Sequence, residues 1–452
     1  MRISWQKDVF VRHADDESVV WCPRTGGCTV MKNVQPFLEG IGWEPRDDRE
    51  VMAVVAAKYG CETSDVAEDA YVVFVELDSQ GFVVREGSKV FGQELLLDGM
   101  DAIRVEDIGI GEERGSPLGR FCKRHAILAD LHIDLTDACT ERCVHCYVPR
   151  DQHDFLPFEL VEKAMREFRE MNGLTVHLTG GEAMLHPDFE RICRLCVELN
   201  LNFVVFSNMT LCDAKRIALL KEVDPQFINV SLYSMDAAEH DSITRLPGSW
   251  KKTMDALLAC EKAGVHCRIA TPLLKENQNA LQGLKRFADE HHLHLVPVAD
   301  IVAQADHGCG NLAHACSPKE LKSVLMRDWR FFHKTYNGEM PSGDAKVCDI
   351  GEGRLYLNAK GDYYPCDCIH GYVLGNVRAQ TCEEIWKGER LNYLRSLKNR
   401  DFGACASCEK RPWCKVCPAA NFNATRNLFT HHPNTCALAS VVREVYESRG
   451  QD

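Results

Sequence analysis

Residues 137–147 read Asp-Ala-Cys-Thr-Glu-Arg-Cys-Val-His-Cys-Tyr, which puts Cys139, Cys143 and Cys146 in the spacing C-x3-C-x2-C. Three thiolates can hold three irons of a four-iron, four-sulfur cube and leave the fourth iron open to a substrate or cofactor. The competing reading is a structural zinc knuckle, with His145 or a distant residue closing a tetrahedral site. Just upstream, Leu131, Ile133 and Leu135 alternate with His132 and Asp134. That is the period of a strand, so the cysteines fall on the loop that the strand feeds.

A second apolar run, Thr175–Leu178, is followed by Thr179-Gly180-Gly181-Glu182. Two glycines at a strand end let backbone approach a ligand closely, and the adjoining carboxylate can hold an ammonium group. One βα unit after the cysteine triad, this pattern resembles the radical S-adenosylmethionine (SAM) superfamily. Members of that family bind SAM on the open iron, cleave its C–S bond with one electron, and abstract hydrogen with the resulting 5′-deoxyadenosyl radical. The resemblance implies that Cys139, Cys143 and Cys146 are the cluster ligands and that His145 lies beside the adenine. It implies too that Gly180, Gly181 and Glu182 hold the methionyl amino group.

The remaining bulk properties narrow the class. With 23 cysteines and no apolar segment of signal-peptide type over residues 1–16, metal binding in a reducing cytoplasm is expected rather than disulfides. A net charge of −13 argues against a nucleic-acid partner. No apolar run approaches membrane-spanning length, so no membrane partner is expected. At 452 residues the chain has room for about three domains.

Residues 1–92 read as one small domain. Val9–Arg12, Ser18–Trp21 and Cys28–Met31 are β-prone, with Pro23–Gly27 as a turn. Helical spacing follows at Val34–Ile41, after Asp47 as an N-cap, and from Ser64 through Val66, Ala70, Val73 and Leu77, before a closing strand at Phe82–Val84. The order of elements and the segments Arg12-His13 and Trp21–Thr25 resemble the winged-helix recognition domain of ribosomal-peptide maturation, the family of the pyrroloquinoline quinone chaperone. That resemblance implies a leader peptide added as a strand beside Cys28–Met31 and against the Ser64–Leu77 helix. Packing against the enzyme alone is the competing role. Residues 93–124, rich in glycine and charge, read as a linker.

From residue 125 to 305, strand and helix alternate. Strands are expected at Leu131–Leu135, Thr175–Leu178, Phe203–Phe206, Phe227–Leu232, His266–Ala270 and His294–Val298. Six βα units imply a partial (β/α)6 TIM-like barrel, an α/β fold, with function at the C-terminal strand ends. By the family resemblance, Ser207 and Ser231 lie near the SAM ribose and methionyl carboxylate. Residues 306–345 form a bridge to a C-terminal cysteine-rich domain, 346–452.

There Cys348, Cys366, the run Cys405-x2-Cys408-x5-Cys414-x2-Cys417, and Cys436 are too rhythmically spaced for core thiols, and zinc or iron–sulfur ligation follows. Tyr356–Tyr364 reads as a hairpin leading to Cys366. The array resembles the SPASM extension of radical SAM enzymes, which carries two auxiliary 4Fe–4S clusters. The resemblance implies Cys348, Cys366 and Cys417 on the first cluster, and Cys405, Cys408, Cys414 and Cys436 on the second. The Cys414–Cys417 spacing is one residue shorter than the family's, and no cysteine shortly precedes Cys348. The first cluster is left with an open iron or with a ligand drawn from Cys309, Cys316 or Cys368. In sulfatase-maturating relatives an Asp at the place of Asp367 acts as a base; a solvated turn residue is the alternative.

Together these readings imply a cytoplasmic radical SAM maturase of a ribosomal precursor peptide, carrying SAM and three 4Fe–4S clusters and fed by a flavodoxin or ferredoxin. The expected product is a thioether crosslink. Carbon–carbon crosslinking, decarboxylation, epimerisation and sulfatase-maturase-like oxidation are the enzymatic alternatives. A non-catalytic iron–sulfur electron carrier is the alternative of a different class.

Overall fold

The computed structural model describes residues 2–86, 116–148, 153–298, 301–304, 308–328, 338–369, 371–431 and 433–449. The chain divides into two compact units, 1–129 and 130–452. The glycines expected in the linker at 109, 111 and 115 lie outside the described residues.

In the first unit β2 (Phe10–Ala14), β3 (Glu17–Trp21) and β4 (Cys28–Lys32) form an antiparallel meander. A second small sheet is built on β1 (Arg2–Trp5), which pairs with β5 (Arg46–Asp47) and with the closing strand β6 (Val83–Glu86). Between them run α1 (Gln35–Gly40), α2 (Asp48–Tyr59) and α3 (Ala67–Ser79). Asp47 does cap α2, its carboxylate accepting the Arg49 N–H at 3.0 Å. The expected α3 face is buried through Ala70, Val73 and Leu77, joined by Phe74. β1 escaped the sequence reading because its partner β6 is some eighty residues away.

One correction concerns the linker. Its last part is a helix, α4 (Pro117–Arg124), capped by the Ser116 hydroxyl and begun by proline at the first helical position. Phe121 of α4 is buried against Val19 and Ile127, and α4 packs beside β4. Buried Glu17 accepts from Arg124 Nη1 at 2.5 Å and faces His125 Nε2 at 2.9 Å, which ties the helix to the meander.

The second unit holds the six expected parallel strands: β7 (Asp130–Asp134), β8 (Thr175–Thr179), β9 (Asn202–Ser207), β10 (Phe227–Ser231), β11 (Cys267–Pro272) and β12 (His294–Val298). They pair in sequence order, and helices α5 (Phe158–Glu170), α6 (Phe189–Glu198), α7 (Ala214–Val223), α8 (Ala237–Thr244), α9 (Ser249–Ala263) and α10 (Leu281–Glu290) come between them. Leu131, Ile133, Val176 and Leu178 are buried, whereas the alternate positions His132 and His177, paired in register, stack at 3.9 Å.

The sheet does not stop at β7. β13 (Arg354–Leu357) adds beside it in parallel, and β14 (Asp362–Tyr364) and β15 (Gly375–Asn376) follow antiparallel. The hairpin anticipated at Tyr356–Tyr364 is therefore present, as a continuation of the barrel sheet. Tyr356 lies next to His132 in register, and the loop after β14 is thereby brought to the same sheet end as the β7 loop. Among the described residues no helix is long and apolar enough to cross a membrane.

Candidate active site

The cysteine triad follows β7, and the Gly-Gly-Glu turn follows β8. The Gly181 N–H donates to Thr136 O at 2.7 Å and the Glu182 N–H to Ala138 O at 2.9 Å, so the two loops are laced together. Both glycines are required by this contact. Gly180 has φ +125°, and a Cβ there would collide with Thr136 O and stand 3.1 Å from Thr136 N. A Cβ on Gly181 would collide with Ala138 O and stand 2.7 Å from Asp137 O.

A cavity of about 590 Å³ opens at these strand ends. It is lined by Cys139, Cys143 and Cys146 and by the expected residues His145, Gly180, Gly181, Ser207 and Ser231. Glu182 is placed differently from the other named residues. It is buried and absent from the cavity lining; its carboxylate accepts from Ser207 Oγ at 2.8 Å, Asn208 N at 2.8 Å and Met184 N at 3.1 Å. In this arrangement it braces the end of β9 against the glycine turn.

Around the sulfurs, Glu141 N–H donates to Cys139 Sγ at 3.4 Å, and Asn208 Nδ2 donates to the same sulfur at 3.7 Å. Cys143 Sγ donates to Glu141 Oε2 at 3.2 Å. Burial, together with the carboxylates of Glu182 and Glu141, pushes the Cys139 thiol up to about 12, and burial raises Cys143 likewise. Free thiolates are therefore unfavourable here until a cation supplies the opposing charge. Two buried atoms of this loop, Glu141 Oε1 and His145 Nδ1, have no hydrogen-bond partner. The donor set fits a thiolate-ligated metal group: three sulfurs, N–H···S bonds, and polar atoms awaiting a ligand. Burial pulls the His145 imidazole down to about 4, so the ring is neutral, and it meets Tyr233 edge-on at 5.2 Å.

The cavity lining is also acidic. Asp134 and Asp137 come from the end of β7, and Asp367 from the loop after β14. Burial, then the charges of Asp137 and Asp367, push Asp134 up to about 7. Tyr147 stands half-buried beside Asp134 and Asp367, and its phenol is pushed up by desolvation and by both charges. Asp367, the expected base, does reach the cavity.

The C-terminal thiols lie near one another. Cys348, Cys366, Cys405, Cys414 and Cys417 pack on one apolar cluster that includes Val347, Leu394, Phe402 and Val416. Within it, Cys348 is raised to about 12 by burial and by Cys417 and Cys366. Cys414 is raised to about 11 by burial and by Cys436, Cys405 and Cys408, which places those four together. Cys417 caps the helix Pro418–Thr425, its sulfur accepting the Ala420 N–H at 3.4 Å, a position where the helix dipole favours a thiolate. Cys193 and Cys196 are buried on α6, away from these thiols.

Residues 133–288 match the radical SAM superfamily, and residues 348–418 match the SPASM iron-sulfur cluster-binding domain. The chain carries a radical SAM domain and a SPASM domain. It is an enzyme. The radical SAM and SPASM regions are similar to an AdoMet-dependent heme synthase of Methanosarcina barkeri, 25% identical over 66% of this chain and 94% of the relative. They are also similar to the subtilosin biosynthesis protein AlbA of Bacillus subtilis, 22% identical over 71% of this chain and 76% of the relative. Among solved structures, Streptococcus suis SuiB bound to S-adenosylmethionine shares the fold. Its TM-score is 0.61 at 14% identity, covering 96% of this chain and 99% of SuiB. SuiB bound to its precursor peptide SuiA gives 0.60 at 13% identity, covering 96% of this chain and all of SuiB. The radical SAM fold, SAM binding and iron–sulfur binding follow from these matches.

Several cavity residues were not singled out from the sequence. Asp134 and Asp137 flank the triad and Tyr147 follows it directly, so proximity to Cys139–Cys146 was the available signal. Tyr356 and Tyr364 line the cavity only because β13 joins β7, which no local pattern announces.

Proposed function

We propose that this enzyme matures a ribosomally made precursor peptide by hydrogen abstraction, forming a thioether between a cysteine sulfur and a carbon. The observation that carries the reading is the shared cavity: the thiol triad and the acidic groups, Asp367 among them, line the same space. AlbA, a protein of bacteriocin subtilosin biosynthesis, and SuiB, solved with its precursor peptide SuiA, support a peptide substrate.

When bound, iron–sulfur clusters at the cysteine sets supply and take up single electrons, and a sulfonium cofactor at the triad supplies the hydrogen-abstracting radical. The chain's own residues do the rest. Cys139, Cys143 and Cys146 hold the first cluster. Cys348, Cys366 and Cys417 hold a second, and Cys405, Cys408, Cys414 and Cys436 a third. Gly180 and Gly181 keep their loop close enough for the cofactor to fit beside neutral His145, while Ser207 and Ser231 present hydroxyls. Asp367 takes the proton from the substrate thiol, with Asp134 and Tyr147 behind it as further proton sites.

The first unit would hold the leader. β4 is the outer strand of the meander, and Thr29 Oγ1 donates to Glu76 of α3 at 3.1 Å, so strand edge and helix stand together. An added peptide strand would gain ladder bonds there. A flavodoxin or ferredoxin would donate the electrons.

Incubating the anaerobically reconstituted enzyme with SAM, dithionite and any short cysteine-containing peptide encoded beside its gene tests this. Loss of two hydrogens, with a cysteine no longer alkylatable, is expected. Loss of formic acid, an unchanged mass, or a crosslink that leaves every cysteine alkylatable would overturn the thioether reading. The heme-synthase likeness favours one rival, a SAM-dependent step of heme synthesis.

A further inference from the structure

On the proposed assignment the first auxiliary set, Cys348, Cys366 and Cys417, is one thiol short, and these three pack on one apolar cluster. Three further cysteines are near enough in sequence to complete it. Cys309 is exposed. Cys316 packs on a different apolar cluster, with Leu321, Leu325 and Val441, and its thiol feels Glu320 and Glu276 rather than other sulfurs. Cys368 belongs to the same apolar cluster as Cys348, Cys366 and Cys417.

Local geometry explains how two cysteines only two apart can share one centre. The chain turns back at Cys366, with the Ile369 N–H donating to Cys366 O at 3.3 Å. Inside that turn the Cys368 N–H donates to Cys366 Sγ at 3.4 Å. The two sulfurs and a carboxylate oxygen of Asp367 all lie within 4.8 Å of one another. Four soft thiolates suit an iron–sulfur cube better than three thiolates and a hard carboxylate.

We infer that Cys368 is the fourth protein ligand of the first auxiliary cluster, closing it with Cys348, Cys366 and Cys417. This deepens the proposed function, since it rests on that cluster being present. A closed cube offers no iron to a substrate thiolate, so the substrate sulfur must be handled by the cavity wall. The same turn leaves Asp367, between its two ligand neighbours, lining the cavity.

The test uses the full chain with Cys139, Cys143 and Cys146 changed to Ala, so that only auxiliary signals remain, reconstituted without air. Iron per chain is counted, and the reduced protein is examined by electron–nuclear double resonance with ¹³C-cyanide. In this parent, about eight irons and no ¹³C coupling are expected. Adding Cys368→Ala should either lose about four irons or leave a cube that now shows ¹³C coupling. Changing Cys309 and Cys316 to Ala should do neither. A Cys368→Ala protein equal to its parent in iron and cyanide response would overturn the inference, as would ¹³C coupling in the parent. If Cys368→Ala does not fold, the Cys309→Ala, Cys316→Ala double variant decides. Cyanide coupling there names another ligand and refutes Cys368; its absence supports Cys368. A parent holding zinc, or no iron, would instead sink the auxiliary-cluster reading itself.

Discussion

Gly181→Ala probes the joint on which the site depends. The added methyl would meet the carbonyl oxygens of Ala138 and Asp137, both backbone atoms that cannot rotate aside. Forcing a methyl into packed structure costs about 1–3 kcal/mol, and rigid neighbours on both sides put this case at the upper end. If the cost is met by moving the 137–139 backbone, it appears as lost SAM affinity, roughly 5- to 150-fold. Calorimetric titration of SAM into anaerobically reconstituted wild type and variant, with iron counted in each, reads the effect. Gly283→Ala is the control. It lies within α10, its Cβ would approach only to 3.6 Å from the Met235 side chain, and helix propensity there favours alanine by about 1 kcal/mol. Gly181→Ala binding SAM as tightly as wild type, with full iron, would refute the claim that the glycine turn positions the triad.

Two further outcomes follow from buried carboxylates. Asp134 carries a pKa near 7, raised by burial and by Asp137 and Asp367, with Tyr147 and Tyr364 also facing it. The folded state thus holds a proton that the unfolded chain releases near pH 4, so metal-free stability should fall as pH rises from about 4 to 7. The urea midpoint should drop across that window, and drop less in Asp134→Asn. Glu17 behaves oppositely. Burial alone would raise it, but His125 and Arg124 hold it below the usual range. Its stabilisation is therefore present above about pH 4.3 and is lost as pH falls through the lowered value. Glu17→Gln should cost the first unit about 1–3 kcal/mol at neutral pH, seen in the thermal unfolding of that unit.

Much of the barrel was legible because strands with one regular period feed loops bearing unusual residues. The six strands fell within two residues of their expected bounds, and the triad, the glycine turn, Ser207 and Ser231 share one cavity. What was hidden depends on distant pairing. β13 joins β7 across more than two hundred residues, so the SPASM hairpin extends the barrel sheet and brings Asp367 into the cavity that Cys146 lines. Glu182 shows a different limit: the motif names the residue, but which donors its carboxylate finds is set by Ser207 and Asn208 on another strand. α4 was masked by the glycines before it, although Ser116-Pro117 is an ordinary helix start. Cys368 was only one of three possible ligands until the turn at 366–369 placed it.

The account rests on a cluster at Cys139, Cys143 and Cys146 with one iron left for the cofactor. Electron–nuclear double resonance on the reduced enzyme, with SAM labelled by ¹⁵N at its amino group, examines this directly. A ¹⁵N coupling that appears with SAM and vanishes when the three cysteines are changed to Ala is the predicted result. Zinc in place of iron at those thiols, or reduced iron that shows no coupling to bound SAM, would contradict it.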